Sequence, residues 1–280
     1  MGESAEQDWQ AWVGRKETVR ERIAPEKVAA LAATLGLTEQ AGTDLLPGWH
    51  WIFFNRFAPR QELGVDGHPR RGGFLPPVML PRRMWAGGRL TYHKSLTVGS
   101  EGVRESTIQK VEAKSGRAGK LVFVTVRHDI ACNDALCVTE EQDIVYREAA
   151  APGTPPPAAT PAPKEASWHE EVRPDTVLLF RYSALTSNGH RIHYDQAYAK
   201  NEENYPDLVV HGPLTATLLQ GFAVKCAGKP LKGFDFRGMA PLFVTSPFVL
   251  EGKQADAEHA LGLWARRANG DLAMQASARF

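Results

Sequence analysis

The chain has 280 residues, room for one large domain or two modest ones, and its 43% hydrophobic and 23% charged residues are an ordinary globular balance. A peptide, a coiled coil and a chain disordered throughout are excluded. Lys plus Arg (33) nearly cancels Asp plus Glu (32), so no global basic field draws in nucleic acid or anionic lipid, and neither is expected as a partner.

The first segment, Met1 to Asp8, is acidic where a signal peptide would be basic and then apolar. The longest apolar runs, such as Val177–Phe180 and Leu242–Leu250, fall far short of the roughly 20 residues that cross a bilayer. A cytoplasmic location is therefore expected. Three cysteines, Cys132, Cys137 and Cys226, fit neither a disulfide framework nor a four-ligand zinc site.

Trp9 to Arg22 is charged and periodic, and Pro25 to Leu35 has Pro at a plausible first helical position with Gly36 just beyond; both read as helices. Apolar runs separated by turn signals follow: Trp49–Phe54, Arg89–Leu96, Arg104–Lys114, Leu121–Arg127 and Glu141–Tyr146. They read as strands of one antiparallel sheet, with Gly116 and Gly119 in a hairpin connection. Gly72-Gly73 and Gly87-Gly88 are isolated pairs, read as turns. Ala149 to Ser167 contains six prolines and little that can be buried, so it reads as an extended linker. The division is thus 1–148, linker 149–167, and 168–280.

In the last part, His211 to Cys226 is apolar nearly all round with Pro213 in its first turn, the pattern of a buried helix. Strands Leu231–Arg237, Phe243–Glu251, Ala257–Arg267 and Leu272–Phe280 follow, the last two joined by the turn Asn269-Gly-Asp271. A long helix wrapped by an antiparallel sheet is an α+β arrangement.

The chemistry concentrates in Phe180 to Asp195, where Asn188, His190, His193 and Asp195 fall within eight residues after a strand-like run and before a polar helix. One account is purely structural: Asp195 caps the helix, His193 is a satisfied core histidine, and Asn188-Gly189 makes a turn. Another is a metal held by His190 and His193, although no further ligand cluster is evident. A third joins this stretch to Val210-His211-Gly212-Pro213. The first turn of a helix has unpartnered N–H groups and a partial positive charge, which suits a carbonyl oxygen becoming anionic. Pro213 has no N–H, so Gly212 is the natural donor, and glycine admits a substrate close to the backbone. Alternatively, Gly212-Pro213 is only a helix start. No Gly-x-Ser-x-Gly elbow or Gly-rich phosphate loop is present, and Cys226 falls late in the apolar helix, where a thiol is inert.

Tyr182 to His193 followed by His211-Gly-Pro213 resembles the MaoC-like, R-specific enoyl-CoA hydratases of the hot-dog superfamily, whose signature runs Ser/Thr-Gly-Asp-x-Asn-Pro-x-His. Arg83 to Arg89, Leu121 to His128, Glu140 to Arg147 and Asn188 to Asp195 are similar to a double-hot-dog branch. That branch holds itaconyl-CoA and mesaconyl-C4-CoA hydratases and the mitochondrial hydroxyacyl-thioester dehydratase type 2. The resemblance implies two antiparallel sheets, each wrapped on a central helix, with a degenerate N-terminal unit and a catalytic C-terminal one. It implies reversible hydration of an enoyl-CoA without metal or redox cofactor, coenzyme A entering as part of the substrate, and a homodimer.

Carried over by position, His193 matches the catalytic histidine and Gly212 the oxyanion donor. Asn188 stands where the wider family has aspartate; an amide holds water but cannot serve as its base, which leaves His193 as the acid/base. His190 and Arg191 replace Asn-Pro. His190, Arg191, Tyr194 and His211 are expected around the substrate, with Arg181, Arg191 and Arg89 as candidate partners for phosphate or carboxylate. The branch points toward itaconyl-CoA or mesaconyl-C4-CoA, giving citramalyl-CoA. Alternatives are a fatty-acid-type 3-hydroxyacyl-thioester dehydratase, an acyl-CoA thioesterase, and a non-catalytic acyl-CoA binding protein.

Overall fold

The computed structural model describes residues 9–37, 42–116, 119–149, 158–255 and 259–280. Among these residues ten antiparallel strands form one sheet. Five belong to the N-terminal half: β1 (Lys16–Arg22), β2 (Arg82–Tyr92), β3 (Glu101–Gly116), β4 (Gly119–Cys132) and β5 (Ala135–Arg147). Five belong to the C-terminal half: β6 (Trp168–Val172), β7 (Gly233–Gly238), β8 (Phe248–Gln254), β9 (Ala260–Arg267) and β10 (Leu272–Arg279). The order is β1-β3-β4-β5-β2-β7-β10-β9-β8-β6. The two expected sheets are therefore joined edge to edge through β2 and β7, where Gly87 faces Arg237 and Gly88 faces Phe236. These glycines are in a strand, not a turn. A Cβ on Gly87 would lie 2.5 Å from the Phe236 carbonyl oxygen, so the seam closes only without side chains there.

Among the described residues four α-helices accompany the sheet: α1 (Pro25–Thr34), α2 (Thr176–Leu185), α3 (Gln196–Asn201) and α4 (Gly212–Ala227). The buried helix expected from His211 onward is α4. His211 is its N-cap, and Gly228 ends it in the left-handed conformation that glycine tolerates. Its Leu214, Ala216, Leu219 and Ala223 are wholly inaccessible and pack against the C-terminal strands.

Three expected elements differ. Lys16–Arg22 is a strand, because exposed and half-buried residues alternate along it with period 2 and it pairs in register with β3. Trp49–Ile52 is a 3-10 turn after left-handed Gly48; its continuous apolar run is buried on every side, a pattern that does not distinguish strand from coil. Val177–Phe180 lies inside α2, started by Asp175, whose carboxylate accepts the Leu178 N–H at 2.7 Å. Of the Pro-rich segment, residues 150–157 lie outside the described residues; from Thr160 the chain runs along the C-terminal strands, with Ala162 buried against Trp264 and Leu272. Among the described residues no helix is long and apolar enough to cross a membrane.

Candidate active site

After α2 the backbone turns through left-handed Ser187 and places Asn188 in an Asx turn, its Oδ1 accepting the His190 N–H at 3.0 Å. One 3-10 turn, Arg191–His193, carries the chain inward, and Asp195 then caps α3 by accepting the Tyr198 N–H at 3.0 Å. His193 is thereby driven into the interior, 7% exposed. Its Nδ1 donates to the Val209 carbonyl at 2.7 Å, so Nδ1 holds the ring proton and Nε2 keeps a lone pair.

The segment that accepts this bond leads directly into α4. His211 stacks on His193, with ring centroids 3.7 Å apart and planes 20° from parallel. Its Nε2 is hydrogen-bonded to Ser183 Oγ at 2.8 Å, and its buried Nδ1 has no hydrogen-bond partner among the described residues. Burial pushes the His193 pKa down to about 4, against the opposing Val209 bond. Burial likewise holds His211 well below the ordinary histidine value, helped by the neighbouring His193 and His190. Two neutral imidazoles thus lie beside the positive end of a helix dipole. A Cβ built on Gly212 would meet nothing within 4 Å, so open space adjoins the first helical amide.

The N-terminal half completes the surroundings. Its Asp66-Gly67-His68 loop docks on the Asn188–Arg191 turn: Arg191 N donates to the Asp66 carbonyl at 3.0 Å, and Gly67 and Gly189 touch so closely that a Cβ on either would strike the other's carbonyl. His68 Nδ1 donates to Asp66 Oδ2 at 3.1 Å, and its ring lies 4.3 Å from that of His190. Burial would raise the Asp66 pKa, but the bonds and charge of His68 outweigh it and hold the carboxyl below its ordinary range. Burial pushes His190 down to about 2. Asp66, His68 and His190 also have ligand-type atoms within 4.8 Å of one another, the grouping among the described residues that could hold a metal. This pairs His190 with the loop rather than with His193, whose Nδ1 is already engaged.

A cavity of about 320 Å³ opens between the halves, lined by Asn188, Tyr182 and Pro213 on one side and by Trp51, Arg104 and Glu140 on the other. The other expected anion partners are spent elsewhere. Arg89 is clamped by Glu141 and Asp143 on the outer sheet face, and Arg181 is exposed on α2. Arg191 binds Asp195 at 2.7 Å and lies over Tyr198. Tyr194 donates to the Gly189 carbonyl at 2.9 Å and is half exposed. Asn188, His190, His193, His211 and Gly212 are brought together; Arg89 and Arg181 are not. Asp66, His68, Ser183 and Arg104 escaped the sequence reading. The Asp-Gly-His-Pro run at 66–69 was the available signal for two of them.

The family model for hydroxyacyl-thioester dehydratase type 2 matches residues 48–244. The chain belongs to that family. A hydroxyacyl-thioester dehydratase type 2 spanning both halves agrees with a site whose histidines come from each of them, and the chain is a lyase of hydratase or dehydratase type. It is 50% identical over 249 residues to the mesaconyl-C(4)-CoA hydratase of Chloroflexus aurantiacus, covering 87% of this chain and 88% of that one. Among solved structures, HtdX of Mycobacterium tuberculosis is similar at TM-score 0.67 and 17% identity, covering 95% of this chain and 99% of that one. A second M. tuberculosis protein, described as a double hot-dog, has TM-score 0.58 and 14% identity, with 95% and 96% covered. These two likenesses show the fold: a double hot-dog.

Proposed function

We propose that the chain reversibly adds water across the α,β double bond of a short branched or dicarboxylic enoyl-CoA, with mesaconyl-C4-CoA giving citramalyl-CoA as the reading of choice. The observation that carries it is the neutral His193, fixed by Val209 and stacked on His211 at the start of α4. The Gly212 N–H binds the thioester carbonyl oxygen and stabilises the enolate that forms, a preorganised contribution of about 3–4 kcal/mol. His193 Nε2 takes a proton from a water held by the Asn188 amide as the water oxygen bonds to the β carbon. The π electrons move toward the carbonyl, and the same imidazolium returns the proton to the α carbon.

The 50% identity to a mesaconyl-C(4)-CoA hydratase supports the substrate class. So does the cavity, whose 320 Å³ falls at the small end of the roughly 300–1,000 Å³ of ligand sites. The family description favours a second reading, a 3-hydroxyacyl-thioester dehydratase of fatty-acid type. Incubation with mesaconyl-C4-CoA, crotonyl-CoA and a long-chain enoyl-CoA separates the two. Loss of enoyl absorbance is expected with the short substrates and without thiol release; thiol release alone would make the protein a thioesterase. The reading needs no metal or redox cofactor, so a chelator should leave the rate unchanged. It includes a cytoplasmic enzyme and a homodimer, the latter supported by β1 and β6, which end the sheet without a further strand neighbour.

A further inference from the structure

The buried face of the N-terminal sheet is polar over part of its length where a core would be apolar. Register aligns Ser106 of β3, His128 of β4 and Glu140 of β5 across one row, with Arg104 and Gln142 beside them on the same face. Further along β4, that face carries Val122, Val124 and Val126, an ordinary core. Burying polar groups is costly unless they are matched, so each donor and acceptor must be accounted for.

Glu140 is fully matched: it accepts from His50 at 3.1 Å, Trp51 at 2.9 Å and Gln142 at 2.9 Å. Burial raises its pKa, but these bonds and the neighbouring histidines outweigh burial and hold it at about 2, so it is ionised. His128 is hydrogen-bonded to Ser106 at 2.8 Å and is pushed by burial to about 4, hence neutral. Arg104 is different. Its Nε is buried with no hydrogen-bond partner among the described residues; Glu17 lies 3.8 Å from Nη2, and Glu140 and Glu21 act on the guanidinium through their charge rather than through a hydrogen bond. The cavity is thus lined by an incompletely hydrogen-bonded cation as well as by Asn188 and by Pro213 in the first turn of α4.

We propose that Arg104 receives a free carboxylate on the acyl group, so that the substrate is bound with its thioester at Gly212 and its acid end on the guanidinium. This rests on the enoyl-CoA hydratase reading above. A planar guanidinium grips a carboxylate through two parallel N–H bonds, which a lysine cannot do. The ionised Glu140 faces the same space and turns the incoming carboxylate toward Arg104 and away from β5. Size agrees: the cavity has room for about ten waters at roughly 30 Å³ each, against about eight non-hydrogen atoms in a five-carbon dicarboxylic acyl group.

The test compares mesaconyl-C4-CoA with crotonyl-CoA, which lacks the carboxylate, in the wild-type protein, Arg104→Met and Arg104→Lys. Arg104→Met should lower kcat/KM for mesaconyl-C4-CoA about 100-fold, the loss typical of removing one partner of a buried charge pair, and leave crotonyl-CoA within about threefold. Arg104→Lys, which keeps the charge but loses the fork, should recover part of the difference; it serves as the readout if the Met variant does not fold. Equal slowing of both substrates, or no slowing of either, overturns the assignment. Calorimetry with the unreactive methylsuccinyl-CoA and butyryl-CoA separates binding from catalysis. A wild-type protein that hydrates neither substrate, yet prefers methylsuccinyl-CoA through Arg104, would sink the reaction and uphold the carboxylate site; absence of that preference overturns the site itself.

Discussion

The two halves treat the buried face of one sheet in opposite ways. In the C-terminal half α4 fills it with Leu214, Leu219 and Ala223, all inaccessible, and the same helix leaves open space beside its first residue, Gly212. In the N-terminal half the ten-residue α1 and the Trp49–Ile52 turn leave about 320 Å³ unfilled, bordered by His50, Arg104, His128 and Glu140. On the proposed reading, one half holds a reacting centre rigid and the other holds a ligand.

The largest expected effect breaks the C-terminal side chemically. His193→Ala should lower kcat by about 100-fold to 10,000-fold, as removal of an acid/base does, with circular dichroism and melting near normal. A near-normal rate in the folded variant would retire the mechanism.

Packing should show the same contrast. Leu219→Ala is expected to cost about 2–5 kcal/mol in urea unfolding, because α4 has no room to collapse. Ile144→Ala, on the cavity wall, should cost less than half as much, since its side chain already has empty space on one side. Equal costs would mean that the N-terminal face is a core after all.

Gly212→Ala sharpens the point within a single residue. Nothing lies within 4 Å of the added carbon, so the helix should gain up to about 1 kcal/mol, while the methyl occupies the thioester's approach and lowers kcat/KM by about tenfold. A variant both more stable and slower is the expected signature.

The smallest effect is on pH. His128 and His193 sit at about 4 and His190 at about 2, below their ordinary 6.5, so the unfolded chain binds protons that the folded chain refuses. Their contribution is complete above about pH 6.5 and is lost as pH falls toward 4, and the melting temperature should follow. Activity that needs neutral His193 should hold at neutral pH and fall only as pH approaches 4. A rate that drops near pH 6.5 would point to an unburied base.

Much of this was legible in the chain. The α4 helix and most strands follow from apolar period and turn residues, and the closeness of His193 to His211-Gly212 is implied by the family resemblance. What escaped depended on distance in sequence. Arg104 sits in a strand whose inward face cannot be told from its outward one until β4 and β5 pair with it, and His68 gains meaning only when Gly67 meets Gly189. Lys16–Arg22 misled for a related reason: its alternation is of charge and half-burial, which periodicity read alone confuses with a polar helix.

The seam at Gly87 and Gly88 has a wider consequence. Because ladder bonds run unbroken from one half into the other, neither can rotate or drift away from its neighbour without tearing main-chain pairings. Liberating one half by proteolysis would bare the raw margin of β2 or β7, an invitation to precipitate, so the enzyme should behave as a single cooperative body that is inherited and lost whole.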